Sequence, residues 1–559
     1  MERVNQTYPN SITQAEDVER YYTGNIYSTY LFNIRENHKF KFLLGYQFEL
    51  SNSQFVGGRR FDLVSQSTPS FSTATGDVRI FDSKGHYATE GVFTRLNYDY
   101  NNKYLFEINA RYDGTSRFAV GDRYGLFPSL SAGWNIHMED FWEPIKNTVN
   151  EFKLRASWGQ LGNHNVPSYQ DLPLIGIQSN LNWLIQGNRP AFVTAPNLTS
   201  ANLTWETAET INFGLDIGLI DNRLMASFDM YERTTKDMLG PAQALPATLG
   251  ANQPNANNAT LRTRGWELSL SWRNVINRDL NYSARLVLSD YEDVVTDFYN
   301  PNKSLTTFYE GMVLGEIWGY ETEGLFKSQE EIENHADQSF LFGDWNTGDV
   351  KYRDLNGDGV INRGDNTVDN PGDRRIIGNS TPRYQFGIDL NLQFKNFQFS
   401  TFWQGTAKRD AAVGRPNASW YFGFRSPVQN NLFTNHLDYY RDQEETKYAG
   451  LGQNTDAFFP RPYQNGRQNR KNQQVQTRFT ENAAYIRLKH AQIRYNVPSN
   501  LSQRVGITDA SIYVTGENLL TFTSLQKGFD PDTAGLGQFG VGKSHFLQRT
   551  FALGLDLSF

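Results

Sequence analysis

Residues 384–394 read YQFGIDLNLQF, and their pattern decides the fold. Tyr384, Phe386, Ile388, Leu390, Leu392 and Phe394 are apolar, while Gln385, Gly387, Asp389, Asn391 and Gln393 between them are polar or small. A strand sends successive side chains to opposite faces, whereas a helix repeats about every 3.6 residues. Strict alternation over this length therefore marks a strand with one apolar and one polar face. The same pattern recurs along the chain. Phe40, Phe42, Leu44, Tyr46, Phe48 and Leu50 oppose Lys39, Lys41, Gln47 and Glu49. Leu224, Ala226, Phe228 and Met230 oppose Ser227, Asp229, Tyr231 and Arg233, and Trp266, Leu268, Leu270 and Trp272 oppose Glu267, Ser269, Ser271 and Arg273.

Globular strands have a mode of about 5–6 residues, whereas a tilted strand crossing a bilayer needs about 9–11. The segments here are of the longer kind. About sixteen candidates begin near Tyr22, Lys39, Tyr87, Lys103, Phe127, Glu151, Thr204, Arg223, Leu261, Asp279, Gly315, Pro382, Asn396, Ala484, Ser511 and Phe546. Some connections are tight: Arg35-Glu36-Asn37, Asn101-Asn102, Asp221-Asn222, Asn277-Arg278 and Lys395-Asn396. Others are long, near residues 51–85, 162–203, 235–260, 326–380 and 406–480. Short turns at one rim and long loops at the other describe an all-β, antiparallel transmembrane barrel of the outer-membrane kind. The loops 326–380 and 406–480 are then extracellular. A soluble propeller would show a repeat of about 40–50 residues, and none is visible.

Composition narrows the function classes. Lys+Arg number 53 against 60 Asp+Glu, a net charge of −7, so there is no basic surplus for binding nucleic acid. Mean hydropathy is −0.59, and no apolar run is long enough for a membrane helix. The 39 Phe, 29 Tyr and 11 Trp argue against disorder. The chain has no Cys, which removes disulfides, thiolate metal sites and cysteine nucleophiles, and suits export to an oxidising compartment. MERVNQTYPNS at the start contains no apolar run of the signal-peptide kind. At the other end, Phe551, Leu553, Leu555, Leu557 and Phe559 share one face, with Gly554, Leu557 and Phe559 at the spacing of a C-terminal barrel-assembly signal.

The long-range pattern resembles a family. Ala110-Arg111-Tyr112-Asp113-Gly114-Thr115-Ser116-Arg117-Phe118, RYGLFPSLSAGWNI (123–136), KLRASWGQLGN (153–163), LRTRGWELSLSW (261–272), GDVKYRDLNGDGVIN (348–362), AAYIRLKHAQIRYNVP (483–498), ASIYVTGENLLTFT (510–523) and FALGLDLSF (551–559) follow one order. Together they are similar to the SusC/RagA-type TonB-dependent outer-membrane transporters of Bacteroidetes. The resemblance implies that residues 1–559 are the C-terminal part of a 22-stranded barrel, whose N-terminal plug and TonB box are not recognisable here. It also implies import of large nutrients, oligosaccharides or peptides, in a complex of the SusC/SusD type. The implied partners are a SusD-like surface lipoprotein as lid, TonB-ExbB-ExbD as energy source, outer-membrane lipid, and a glycan or peptide substrate. A passive porin and a surface adhesin or binding platform are the alternatives.

No enzyme is expected. Gly537-Gln538-Phe539-Gly540-Val541-Gly542-Lys543-Ser544 matches the P-loop pattern, but that chemistry needs a strand before the loop and a helix after it. An alternating strand follows instead and ends the chain. The eight His are scattered, without H-E-x-x-H or G-x-S-x-G.

One metal motif is well formed. Asp354, Asn356, Asp358, Asn362 and Asp365 occupy positions 1, 3, 5, 9 and 12 of a calcium-type loop, with the Val360 carbonyl at 7 and Gly359 at the sharp turn of position 6. Hard oxygen donors suit Ca²⁺, in a structural role. Asp365 stands where a longer bidentate Glu is usual, which shortens the reach. The same residues also suit a metal-free turn. Aromatics in the long loops, namely Trp183, Trp345, Tyr439, Tyr440, Phe458, Phe459 and above all Trp420, Tyr421, Phe422 and Phe424, either stack against substrate or pack the loops together.

Overall fold

A computed structural model describes residues 10–178, 183–200, 203–242, 246, 248, 253–412, 434–442, 450–463, 466–527, 529–533 and 547–559. Fifteen strands are hydrogen-bonded in chain order into one antiparallel sheet. They are β1 (Ser11–Ile34), β2 (His38–Phe61), β3 (Val78–Tyr100), β4 (Tyr104–Thr115), β5 (Tyr124–Asn135), β6 (Val149–Asn163), β7 (Glu206–Leu219) and β8 (Leu224–Pro241). The rest are β9 (Asn255–Asn277), β10 (Leu280–Phe298), β11 (Arg383–Phe394), β12 (Phe397–Lys408), β13 (Tyr485–Asn496), β14 (Asp509–Thr523) and β15 (Thr550–Ser558). Among the described residues, no helix is long and apolar enough to cross a membrane. The chain divides into two compact units. One comprises Met1–Trp134, Ala156–Ile211 and Thr234–Thr260; the other comprises Asn135–Arg155, Asn212–Arg233 and Leu261–Phe559.

The tight turns form as their residues demand. Asn101 and Asn102 both have positive φ (52° and 56°) and occupy the centre of a turn that Lys103 N closes by donating to the Tyr100 carbonyl at 2.8 Å. Asp221 and Asn222 do the same at 54° and 57°. Asn and Asp enter the left-handed region more readily than other non-glycine residues.

In the first unit, register assigns the faces. Phe40, Tyr98, Phe106 and Ala132 lie in one row across β2–β5, and Tyr46, Val92, Tyr112 and Leu126 lie in another. Exposed apolar side chains dominate this face, among them Leu44, Phe48, Ile108 and Leu130. Aromatics stack along its turn end: Phe32–Phe40 at 4.9 Å, Phe40–Tyr98 at 4.8 Å, and Tyr104–Trp134 at 6.2 Å between centroids. The opposite face is polar, with Asn109 bonded to Glu107 at 2.7 Å and Arg111 to Asp113 at 2.9 Å. In the second unit, Arg155 on the polar face donates to Asp216 at 2.8 Å and to Asp229 at 2.9 Å. On β11, Leu390, Leu392 and Phe394 are exposed on the apolar side, as the alternation requires.

Two expectations change. The candidate strand near Gly315 is not in the large sheet: Glu316–Tyr320 is a five-residue strand paired with Arg374–Asn379 inside a loop, so among the described residues the sheet has fifteen strands rather than about sixteen. Ile317 and Tyr320 are buried, and an element covered on both sides has no lipid-type face. The long loop expected at 51–85 is mostly strand as well. β2 continues to Phe61 and β3 begins at Val78, in register from Arg60↔Val78 downward. Polar residues stand on both faces of this outer part, Asn52 and Gln54 on one and Ser53 and Arg59 on the other, so alternation disappears while the ladder continues.

Candidate functional site

The long loops of the second unit build their own core. Strand segments Thr322–Leu325 and Val350–Tyr352 pair with each other, and Asp410–Ala412 pairs with Thr480–Asn482. Tyr320, Leu325, Val350, Tyr352, Ile361, Tyr440 and Ala457 form one buried cluster; Ala411, Phe459, Phe479, Ala483, Leu525 and Phe529 form a second. Two stretches far apart in sequence are thereby stapled. Lys471 Nζ lies 2.6 Å from Asp349 Oδ2, with both side chains fully buried. The same ammonium stands 5.2 Å from the Trp345 ring centre and 4.5 Å from that of Tyr463. Asp349 Oδ1 also accepts from Asn472 Nδ2 (2.8 Å) and Tyr463 Oη (2.9 Å), so the buried charge is fully bonded. Burial pushes the Lys471 amine down, and Asp349 partly holds it up.

A second buried cation anchors another loop. Arg487, at the start of β13, donates to both oxygens of Asp530 at 2.9 Å and to Asp532 at 2.7 Å. Lys489 reaches Asp532 at 3.2 Å. None of these polar anchors was singled out from sequence. A lone Lys or Asp in a polar stretch carries no signal of burial until its partner, over a hundred residues away, is known.

The calcium-type loop lies beside this core. Gly359 has φ +82° with open space where a Cβ would stand, so backbone conformation alone selects glycine there. Asp354 accepts from Gly357 N at 2.7 Å and from Gly359 N at 2.8 Å. Asp358 accepts from Val360 N at 2.8 Å and Asn356 Nδ2 at 2.9 Å, and the Val360 carbonyl accepts from Asn362 Nδ2 at 3.2 Å. Asp365 points at Asn370 instead, accepting from its Nδ2 at 2.9 Å. Asp373, which sequence spacing did not suggest, is fully buried and accepts from Leu355 N (2.9 Å) and Asn362 N (2.8 Å). Burial pushes its carboxyl up, opposed by those N–H groups and reinforced by the charges of Asp354 and Asp358. Among the described residues, no three acidic or histidine side chains are placed to hold a metal ion. The donor set remains all hard oxygen, and each carboxylate oxygen keeps a second lone pair.

Of the loop aromatics, Tyr440 and Phe459 are buried, Trp345 packs on the first cluster, and Tyr439 and Phe458 pack on the second. Trp183 is 65 % exposed. Trp420, Tyr421, Phe422 and Phe424 lie outside the described residues, as does the glycine-rich stretch 537–544.

Comparison with known proteins agrees with this architecture. Residues 3–306 match the model of the family described as TonB dependent receptor-like, beta-barrel. A TonB-dependent receptor named P26, from Formosa agariphila, is 29% identical over 563 residues, covering 95% of this chain and 52% of the relative. The receptor SusC of Bacteroides thetaiotaomicron is 25% identical over 583 residues, covering 98% of this chain and 53% of its own length. The chain thus spans about half the length of the curated relatives it matches. Among solved structures, the RagAB peptide transporter superposes with a TM-score of 0.76 at 22% identity, covering 98% of this chain and 56% of that one. Carried by a match over more than half its length and by a fifteen-stranded antiparallel sheet, the chain belongs to the TonB-dependent receptor-like β-barrel family.

Proposed function

We propose that this chain is the barrel-forming part of an energised outer-membrane importer of large nutrients, the SusC-like component of a two-protein complex. The observation that carries this reading is the sheet itself. It is apolar on one face and polar on the other, with tight turns at one end of the strands and loops with their own cores at the other. Loops this large and internally packed suit capture of a bulky cargo, an oligosaccharide or a peptide, rather than a small ion. Peptide cargo is supported by the likeness to the RagAB peptide transporter, glycan cargo by the kinship with SusC. In this reading a SusD-like surface lipoprotein closes over the loops, and TonB-ExbB-ExbD supplies energy through the half of the polypeptide that the relatives carry in addition. The work is transport, not catalysis.

Calcium is part of the proposal. Asp354, Asn356, Asp358 and Asn362 would hold Ca²⁺ with the Val360 carbonyl and Asp365, once the latter turns from Asn370. The ion would neutralise the carboxylates that now press on Asp373. Its role there is to order the loop, not to act on a substrate.

The complete polypeptide should fractionate with the outer membrane, migrate heat-modifiably and copurify with a surface lipoprotein. Recovery in the soluble fraction would overturn the reading.

A further inference from the structure

The connection between β5 and β6 sits at the turn end of the strands. It runs over residues 136–148 and contains two 3₁₀ turns, Ile136–Met138 and Asp140–Ile145. Its last residue lies beside the tight turn at Asp221-Asn222: Ile220 N donates to the Thr148 carbonyl at 3.0 Å, and Asn222 N to Asn150 Oδ1 at 3.2 Å. The composition of this connection is amphipathic. Met138, Phe141, Trp142 and Ile145 are apolar, and Glu139, Asp140, Glu143 and Lys146 stand between them. That is the pattern of a segment lying on an apolar surface. Phe141 is 65% exposed, Ile145 46% and Met138 39%, so the chain itself does not cover them.

The segment folds back onto the apolar side of the sheet. Glu151, Lys153 and Arg155 alternate on the polar face, where Arg155 meets Asp216, so Phe152 and Leu154 stand on the other. The Trp142 ring packs on that of Phe152 with 5.0 Å between centres, and its Nε1 donates to the Val149 carbonyl at 3.0 Å. His137 Nδ1 accepts from Phe152 N at 3.3 Å, which ties the first turn to the same strand. Phe141 meets Trp142 edge-on at 6.3 Å. One apolar run thus passes from exposed Leu154 through Phe152 and Trp142 to exposed Phe141.

An aromatic body with one polar handle suits the boundary between hydrocarbon and headgroups. A Phe that stands out beside such a ring, in line with the apolar side of a strand, has hydrocarbon as its complement rather than water. We propose that residues 136–148 are an interfacial anchor on the phospholipid leaflet at the turn end of the strands. Met138, Phe141 and Ile145 enter the edge of the acyl region, Trp142 lies at headgroup level against Phe152, and the charged residues between them stay in water. The proposal rests on the reading that this side of the sheet meets a bilayer. Such an anchor sets the depth at which the turn end of β6 stands in the leaflet.

The test uses the complete polypeptide in phospholipid vesicles, with a nitroxide label on one introduced cysteine; residues 1–559 hold no native Cys to compete. Power saturation compares collision with oxygen, which concentrates in hydrocarbon, and with a polar nickel chelate, which stays in water. Labels on Phe141→Cys and Ile145→Cys should meet oxygen several-fold more than nickel, and a label on Glu143→Cys should do the reverse. Should Phe141→Cys fail to reach the membrane, Ile145→Cys carries the same test. Labels at these two positions that favour nickel would overturn the proposal, as would labels reached by neither reagent, which would mean that protein covers the segment. Leu392→Cys, on the exposed apolar side of β11, separates the two failures. If that label also favours nickel, the membrane reading falls; if it favours oxygen while the Phe141 and Ile145 labels favour nickel, only the anchor falls.

Discussion

Lys471 Nζ lies 2.6 Å from Asp349 Oδ2, and neither side chain reaches solvent. The pair joins two loops separated by more than a hundred residues, and around it Val350 N donates to Asn472 Oδ1 at 2.8 Å and Tyr352 Oη to the Lys471 carbonyl at 2.7 Å. Removing one member of such a pair strands the other charge without water, at a cost of about 3–5 kcal/mol. Lys471→Met should therefore open the loops to protease around residues 322–352 while the strands stay protected. Changing both members, Lys471→Met with Asp349→Leu, should restore much of the protection. A double variant no better than the single one would show that the neighbouring hydrogen bonds, not the charge pair, hold the loops.

The calcium-type loop gives a second outcome. An ion that binds only the ordered loop stabilises it by mass action, and Asp354 and Asp358 would both be drawn onto it. Chelator should raise protease nicking within residues 340–380 of the wild type, and Asp358→Ala should be nicked equally with and without chelator. Because the barrel strands do not depend on this loop, heat-modifiable migration should be unchanged. If chelation alters nothing and elemental analysis finds no calcium, the loop is a turn held by its own N–H groups.

Acid should release the 524–533 segment only late. Burial alone would raise the Asp532 carboxyl, but the Tyr485 hydroxyl, Arg487 and Lys489 together hold it below the ordinary carboxylate value. A carboxyl lowered by folding contributes stability that is fully present above its unfolded value, about 3.9, and is lost as pH falls through the lowered one. A mobility probe on Gln526 should thus report a tethered loop at pH 5 and a loosening below about pH 4. Asp532→Asn should loosen it at neutral pH and flatten that profile. Release of the wild-type loop above pH 6 would contradict the role given to Asp532.

The membrane-level strands were legible in the sequence because a bilayer on one side and polar groups on the other impose period two. Tyr384 to Phe394 shows this without a break. The outer continuation of β2 and β3 was not legible, since polar pairs stand on one face (Asn52↔His86, Gln54↔Lys84) and small or polar ones on the other (Ser53↔Gly85), leaving no apolar alternation. The five residues from Glu316 were misread as a strand of the main sheet because a short buried strand and a membrane strand look alike over so few positions. In the loops, spacing could single out Asp354 to Asn362 because the hydrogen bonds these residues make are local to one turn. It could not disclose Asp373, Asp349 or Lys471, whose roles come from partners brought near by folding.

Energised import is most directly tested by uptake. Cells expressing the complete polypeptide and its lipoprotein would be offered labelled oligosaccharide and peptide pools, with TonB present or deleted. The expected result is accumulation of one pool with TonB and its loss without TonB, while the protein remains in the outer membrane at unchanged level. Uptake that persists undiminished without TonB would contradict the account and make this barrel a passive channel.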